Sequence, residues 1–120
     1  MIADWTQYNY EATVVDIYDA DTVTLCVDLG FKIAVTHRVR LYGIDAWEVR
    51  GVERARGRMA RDWLREQIPV GSTVRVETIC DKQGKYGRYL AVIYDQCEPG
   101  EWRNLNRALV ENGHAEHRWY

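Results

Sequence analysis

Two stretches of this chain alternate between apolar and polar residues. Residues 72–79 (STVRVETI) put Val74 and Val76 on one side, Arg75 and Glu77 on the other. Residues 22–29 (TVTLCVDL) put Val23, Leu25 and Val27 together in the same way. A period of two is the signature of a strand with one face toward a core. Three more runs share the β-branched and aromatic character of strands: 10–18 (YEATVVDIY), 31–44 (FKIAVTHRVRLYGI) and 88–94 (RYLAVIY). Asp19-Ala20-Asp21, Gly30 and DKQGKYG at 81–87 separate them as turns.

Helices punctuate these strands. Val52, Ala55, Met59 and Trp63 recur at three- and four-residue spacing and predict an apolar stripe on a helix over 52–68, ended by Pro69 and Gly71. Arg54, Arg58, Arg61 and Arg65 form a basic ridge on the other side, either a solvated face or a phosphate contact. A second helix near 103–112 turns Leu105, Ala108 and Leu109 inward and stops at Gly113. No repeat, low-complexity stretch or linker interrupts the 120 residues, so a single domain over 1–120 is expected. The order of three strands, helix, two strands, helix predicts an α+β, mainly β, fold. It suits a five-stranded Greek-key barrel of the OB type with two to three α-helices.

Composition narrows the function. No apolar run approaches the ~20 residues that cross a bilayer, so no membrane partner is expected. The N-terminus, MIADWTQYNYEAT, has no basic n-region and no apolar h-region. The chain as it stands reads as cytoplasmic, or as secreted if it is a trimmed mature domain. Its net charge of −2 argues against binding nucleic acid by bulk positive charge. Soluble enzymes and binding modules remain. Thirteen of the sixteen basic residues are Arg, whose planar fork suits phosphate. Cys26, Cys80 and Cys97 are widely spaced with no CxxC, which speaks against structural zinc. Cys26 and Cys80 are expected to act as small core residues. His114 and His117 form an HxxH at the tail, more simply read as chance than as a metal site.

Chemistry concentrates at the strand ends. Asp19 and Asp21 flank Ala20 after the first strand, and Asp45 and Glu48 flank Ala46-Trp47 after the third. Each acid pair alone is an ordinary turn former. Together they could converge on one hard cation such as Ca²⁺, which takes carboxylate, carbonyl and water oxygens. Arg40 stands inside a Val/Leu run, where burial calls for an anionic partner, and Arg88 opens the fifth strand. Each is either half of a structural ion pair or a donor aimed at an anion site. Two arginines and several carboxylates at one barrel mouth would make a cation-assisted phosphate site.

These fragments resemble the staphylococcal nuclease (thermonuclease) family over about residues 12–113. The resemblance rests on VVDIYDADTVTL at 14–25, RLYGIDAWE at 40–48, GVERARG at 51–57, DKQGKYGRYLAVIY at 81–94 and LNRALVENG at 105–113. It implies an OB-fold, Ca²⁺-dependent phosphodiesterase acting as a monomer on single-stranded or frayed DNA and RNA, with 3′-phosphate products. By the same resemblance, Asp21 and Asp45 are calcium carboxylates, Ala46 offers a backbone carbonyl, and Asp19 is an outer-sphere acid. Glu48, Arg40 and Arg88 match the catalytic residues, Lys85 and Tyr86 match nucleotide-phosphate contacts, and Asn106 matches a buried structural Asn. A carboxylate is a weak base toward water, so Glu48 is either a general base or an orienter of the attacking water.

The sequence also departs from the family pattern. Ala20 stands where Gly is usual, which would be disfavoured if that turn needs positive φ. Trp47 stands where Pro is usual before the glutamate, either a stacking platform or a cover over the barrel end. The segment 28–39 is longer than in the family's best-known member, and Trp119 and Tyr120 align only loosely with its terminal nucleotide-contacting aromatics. The alternative function is an inactive nuclease-like module that binds nucleic acid or protein. Retention of Asp21, Arg40, Asp45, Glu48 and Arg88 favours the enzyme. Bound Ca²⁺ would bring the nominal charge from −2 to 0.

Overall fold

The computed structural model describes residues 8–80 and 89–118. Lys85, Tyr86, Arg88, the 81–87 turn, Trp119 and Tyr120 lie outside the described residues, as does the side chain of Cys80. In chain order the elements are β1 (Asn9–Asp19), β2 (Thr22–Gly30), β3 (Ile33–Leu41), β4 (Ile44–Ala46), a 3-10 turn (Gly51–Glu53), α1 (Arg54–Gln67), β5 (Thr73–Cys80), β6 (Tyr89–Glu98), β7 (Glu101–Asn104), α2 (Leu105–Glu111) and β8 (Ala115–His117). Among the described residues no helix is long and apolar enough to cross a membrane.

The sheet runs β3-β2-β1-β5-β6-β7, and a parallel pairing of β3 with β6 closes it. Val39 faces Tyr89, Arg40 faces Leu90 and Leu41 faces Ala91 across that seam. Five strands therefore form a closed barrel with two α-helices packed on it, the expected OB arrangement. The alternating residues fill its interior: Val23 and Leu25 of β2, Val74 and Val76 of β5, with Ile17, Leu41 and Ile93, are essentially inaccessible. Each such side chain contributes about 1.5–3 kcal/mol relative to exposure. Leu64 of α1 and Leu105 and Leu109 of α2 join the same cluster.

Several expectations need correction. The 31–44 run is two strands, because Gly43 turns the chain at φ 82° before β4. The strands β4, β7 and β8 are more than the five foreseen. β4 and β8 pair with each other, Ala46 opposite Ala115, across a sequence separation that alternation cannot report. The stripe on α1 is displaced. Val52, Ala55 and Met59 are exposed, and the buried face is Gly57, Ala60 and Leu64. One position is a rotation of about 100°. The helix docks by Gly57 and Ala60, which let its backbone come close, together with Leu64. Cys26 is half-buried, because it alternates with Leu25 and so faces away from the interior.

Candidate active site

The β1–β2 turn builds the first wall. Asp19 Oδ1 accepts the Asp21 amide at 3.1 Å, and Asp21 Oδ1 accepts the Thr22 hydroxyl at 3.2 Å. Ala20 is fully buried and does not adopt positive φ, so the missing glycine costs this turn nothing. Asp19 is squeezed by burial and by Asp21 beside it. Those causes, in that order, push its carboxyl up to about 7.

The β3–β4 segment builds the second wall. Asp21 Oδ2 reaches across 25 residues to accept the Ala46 amide at 3.0 Å. Arg40 leaves β3 between the two acids. Its Nη2 donates to Asp45 Oδ1 and to the Ile44 carbonyl (3.2 Å), and stands 3.6 Å from Asp21 Oδ2. Arg118, just after β8, also donates to Asp45 Oδ1, at 3.2 Å. A cleft of about 630 Å³ opens here, lined by Asp19, Asp21, Arg40, Asp45, Ala46 and Glu48 among others. That volume is within the usual range of small-molecule sites.

Trp47 is held rather than free. Its indole N–H donates to the Gly113 carbonyl at 3.1 Å, and the Arg56 guanidinium lies 3.7 Å from its ring centre. Gly113, at φ 77°, is the left-handed residue of a Schellman cap on α2: Gly113 N–H bonds to Val110 and His114 N–H to Leu109. The helix cap thus presents the carbonyl that seats Trp47. This tether does by side-chain anchoring what a proline ring would do by fixing φ. One face of Trp47 lies under Arg56, and the residue lines the cleft.

Glu48 is exposed on the cleft and follows directly from this anchored turn. Behind it stands Gly57 of α1, against the Glu48–Val49 peptide. Arg65 of the basic ridge fastens α1 from the other end by donating to the Ile17 carbonyl at 2.7 Å. Asn106 is buried. It donates to the Tyr42 and Ala91 carbonyls at 2.9 and 3.0 Å and accepts the Ile93 amide at 3.2 Å, so α2, β6 and the β3–β4 turn are pinned together.

Residues that sequence reasoning missed include Gly57, Arg118 and the Tyr18–Arg38 pair on the same cleft. A glycine inside a helical pattern was a usable signal for the first. The Arg118–Asp45 pair spans 73 residues and leaves no local trace. His114 packs against Trp63, ring centres 5.2 Å apart.

The acids fit a hard cation in part. Asp21 and Asp45 both face one positively charged group, so their oxygens reach a common centre. Among the described residues no third His, Cys, Asp or Glu joins them in a metal-holding group. Carbonyl and water oxygens would have to complete the six to eight that Ca²⁺ takes. No curated protein matches the chain. Residues 38–120 match the family model described as staphylococcal nuclease homologue. Asp19 and Asp21 precede that stretch, yet the fold seats Asp21 on Ala46 and beside Arg40 within it. Most of the chain is matched, and the protein belongs to the staphylococcal nuclease homologue family, as a nuclease-type or nuclease-like module.

Proposed function

We propose that this protein is a Ca²⁺-dependent phosphodiesterase that hydrolyses single-stranded or frayed DNA and RNA as a monomer. The observation that carries the reading is Arg40 standing between Asp21 and Asp45 on the cleft that Glu48 also lines. Asp21, Asp45 and the Ala46 carbonyl would hold Ca²⁺, with Asp19 beyond them. When bound, the ion would draw charge from the phosphate oxygens and supply ordered water. Arg40, released from Asp45, would turn its paired donors to the equatorial oxygens as charge builds there. Glu48 would orient the attacking water and accept its hydrogen bond. A bond forms from water oxygen to phosphorus, the bond from phosphorus to the 5′ oxygen breaks, and that oxygen leaves with a proton. The products carry 3′-phosphates and 5′-hydroxyls. By motif, Arg88 is assigned to the same phosphate as Arg40, and Lys85 and Tyr86 to a phosphate of the bound nucleotide.

The test is degradation of single-stranded DNA with Ca²⁺ and with EDTA. Wild type should cleave only with Ca²⁺, and Arg40→Ala and Arg88→Ala should stay folded while losing most activity. Equal activity in EDTA, or full activity in both variants, would sink the mechanism. A second reading is favoured by the guanidinium that already bridges the acids: an inactive module whose Arg40 replaces the metal for good. Binding of DNA without Ca²⁺-dependent cleavage would select it.

A further inference from the structure

The cleft carries two further arginines, Arg38 and Arg50, that the proposed chemistry does not use. Arg38 and Arg40 are alternate residues of β3, with Val39 between them buried. Alternate strand residues share a face, so both arginines project on the outer side of the barrel, about 6.7 Å apart along the strand. Both line the cleft. They differ in what they touch. Arg40 is committed to Asp21 and Asp45. Arg38 is exposed, and among the described residues no carboxylate pairs with it. Its guanidinium lies over the Tyr18 ring, 5.3 Å from the centre.

Tyr18 is placed there by an irregularity in β1. The β1–β2 register runs Ile17 with Val23 and then Asp19 with Thr22, so Tyr18 is the extra residue of a bulge. Bulges beside active sites re-aim side chains. An earlier slip between Val14 and Asp16 moves the buried side of β1 from Ala12 and Val14 to Ile17, so the Tyr18 ring faces outward, and it lies under a guanidinium two strands away. A cation held on a ring face is pre-oriented, and it keeps its N–H donors free for an anion.

We propose that Arg38, held by Tyr18, is a second phosphate site, one nucleotide step along the strand from the phosphate at Arg40. It would take the neighbouring phosphodiester of a single-stranded polynucleotide. The inference deepens the nuclease reading and rests on it for the first phosphate. Arg38 reads backbone charge, so the contact is indifferent to base and shared by DNA and RNA. Tyr18 is a positioning residue that acts through Arg38.

The test is binding of a fluorescein-labelled oligothymidylate by anisotropy, in EDTA, over a series of salt concentrations. Losing one phosphate contact on a single strand lowers the log–log salt slope by about 0.7. Arg38→Gln should show that drop and bind several-fold more weakly. Tyr18→Leu should lose part of the affinity, and Tyr18→Phe should restore it. Arg107→Gln removes the same charge from α2 and should keep the wild-type slope. An unchanged slope in Arg38→Gln, an equal drop in Arg107→Gln, or no binding by wild type overturns the proposal. So does displacement of the oligonucleotide by polyglutamate as readily as by unlabelled oligothymidylate. If wild type binds as described but never cleaves with Ca²⁺, the nuclease reading fails and this site stands.

Discussion

Gly57 of α1 faces the carbonyl of Glu48 with no room for a side chain. A methyl group at Gly57 would run into the Glu48 carbonyl group and come within 2.7 Å of the Val49 nitrogen. A mid-helix glycine costs about 0.5–1 kcal/mol relative to alanine, so helix propensity alone favours Ala there. Close approach opposes it. Gly57→Ala should destabilise the fold by about 1–3 kcal/mol, as overpacking does. It should also push the Glu48 turn off its position and reduce hydrolysis more than it reduces Ca²⁺ binding. Urea denaturation and calcium titration of the variant check both parts. A more stable variant would show that the helix and the Glu48 turn are not in contact.

Asn106 supplies three hydrogen bonds from one buried amide, to Tyr42, Ala91 and Ile93. Asn106→Leu keeps the approximate volume and removes all three. A buried polar group left unmet costs about 1–3 kcal/mol, so the loss should be about 3 kcal/mol or more. The denaturant midpoint should fall steeply at unchanged slope. A loss under 1 kcal/mol would mean that the freed main-chain groups find other partners.

The barrel was legible because its strands carry their own signal. Val23, Leu25, Val74 and Val76 alternate with polar residues, and each faces the interior. Gly113 was legible as a helix stop because the left-handed cap demands it. The face of α1 is not legible from hydrophobicity, because residue size decides how closely the helix packs. Gly57 and Ala60 set the contact, while Val52 and Met59 stay in solvent. β4 and β8 are three residues each and exist by pairing with each other, so nothing local announces them. At the site, the acids and Arg40 were legible by motif. The sequence left Arg40 as either half of an ion pair or a donor to an anion, since 5 residues of spacing do not fix where a long side chain rests, and the structure pairs it with the acids.

His114 adds a pH dependence. Burial against Trp63 holds its imidazole below the usual value near 6.5. Between the folded and unfolded values the unfolded chain binds more protons. Its contribution to stability is therefore complete above about 6.5 and falls as pH drops below that. His114→Phe keeps a ring against Trp63 without a titrating proton. Its stability relative to wild type should be nearly constant above about 6.5 and rise as pH is lowered from there to 5.5. A constant difference in urea midpoints across that range would remove His114 as the cause.

On the proposed function, Arg40 and a calcium ion would compete for the same two carboxylates. Its Nη2 donates to Asp45 and stands 3.6 Å from Asp21. An ion taking Asp45 Oδ1 would displace the Arg40 bond to it. A hydrogen bond contributes a net ~0.5–1.5 kcal/mol, which corresponds to roughly two- to tenfold in an equilibrium constant. Arg40→Gln should therefore bind Ca²⁺ two- to tenfold more tightly than wild type by calorimetry. The same variant should lose about 10²–10³ in hydrolysis, because a donor to the developing phosphate charge is gone. Arg118→Gln frees only Asp45 and should show a smaller gain in affinity with little loss of rate. Weaker calcium binding by Arg40→Gln would mean that the guanidinium organises the acids rather than occupying their place.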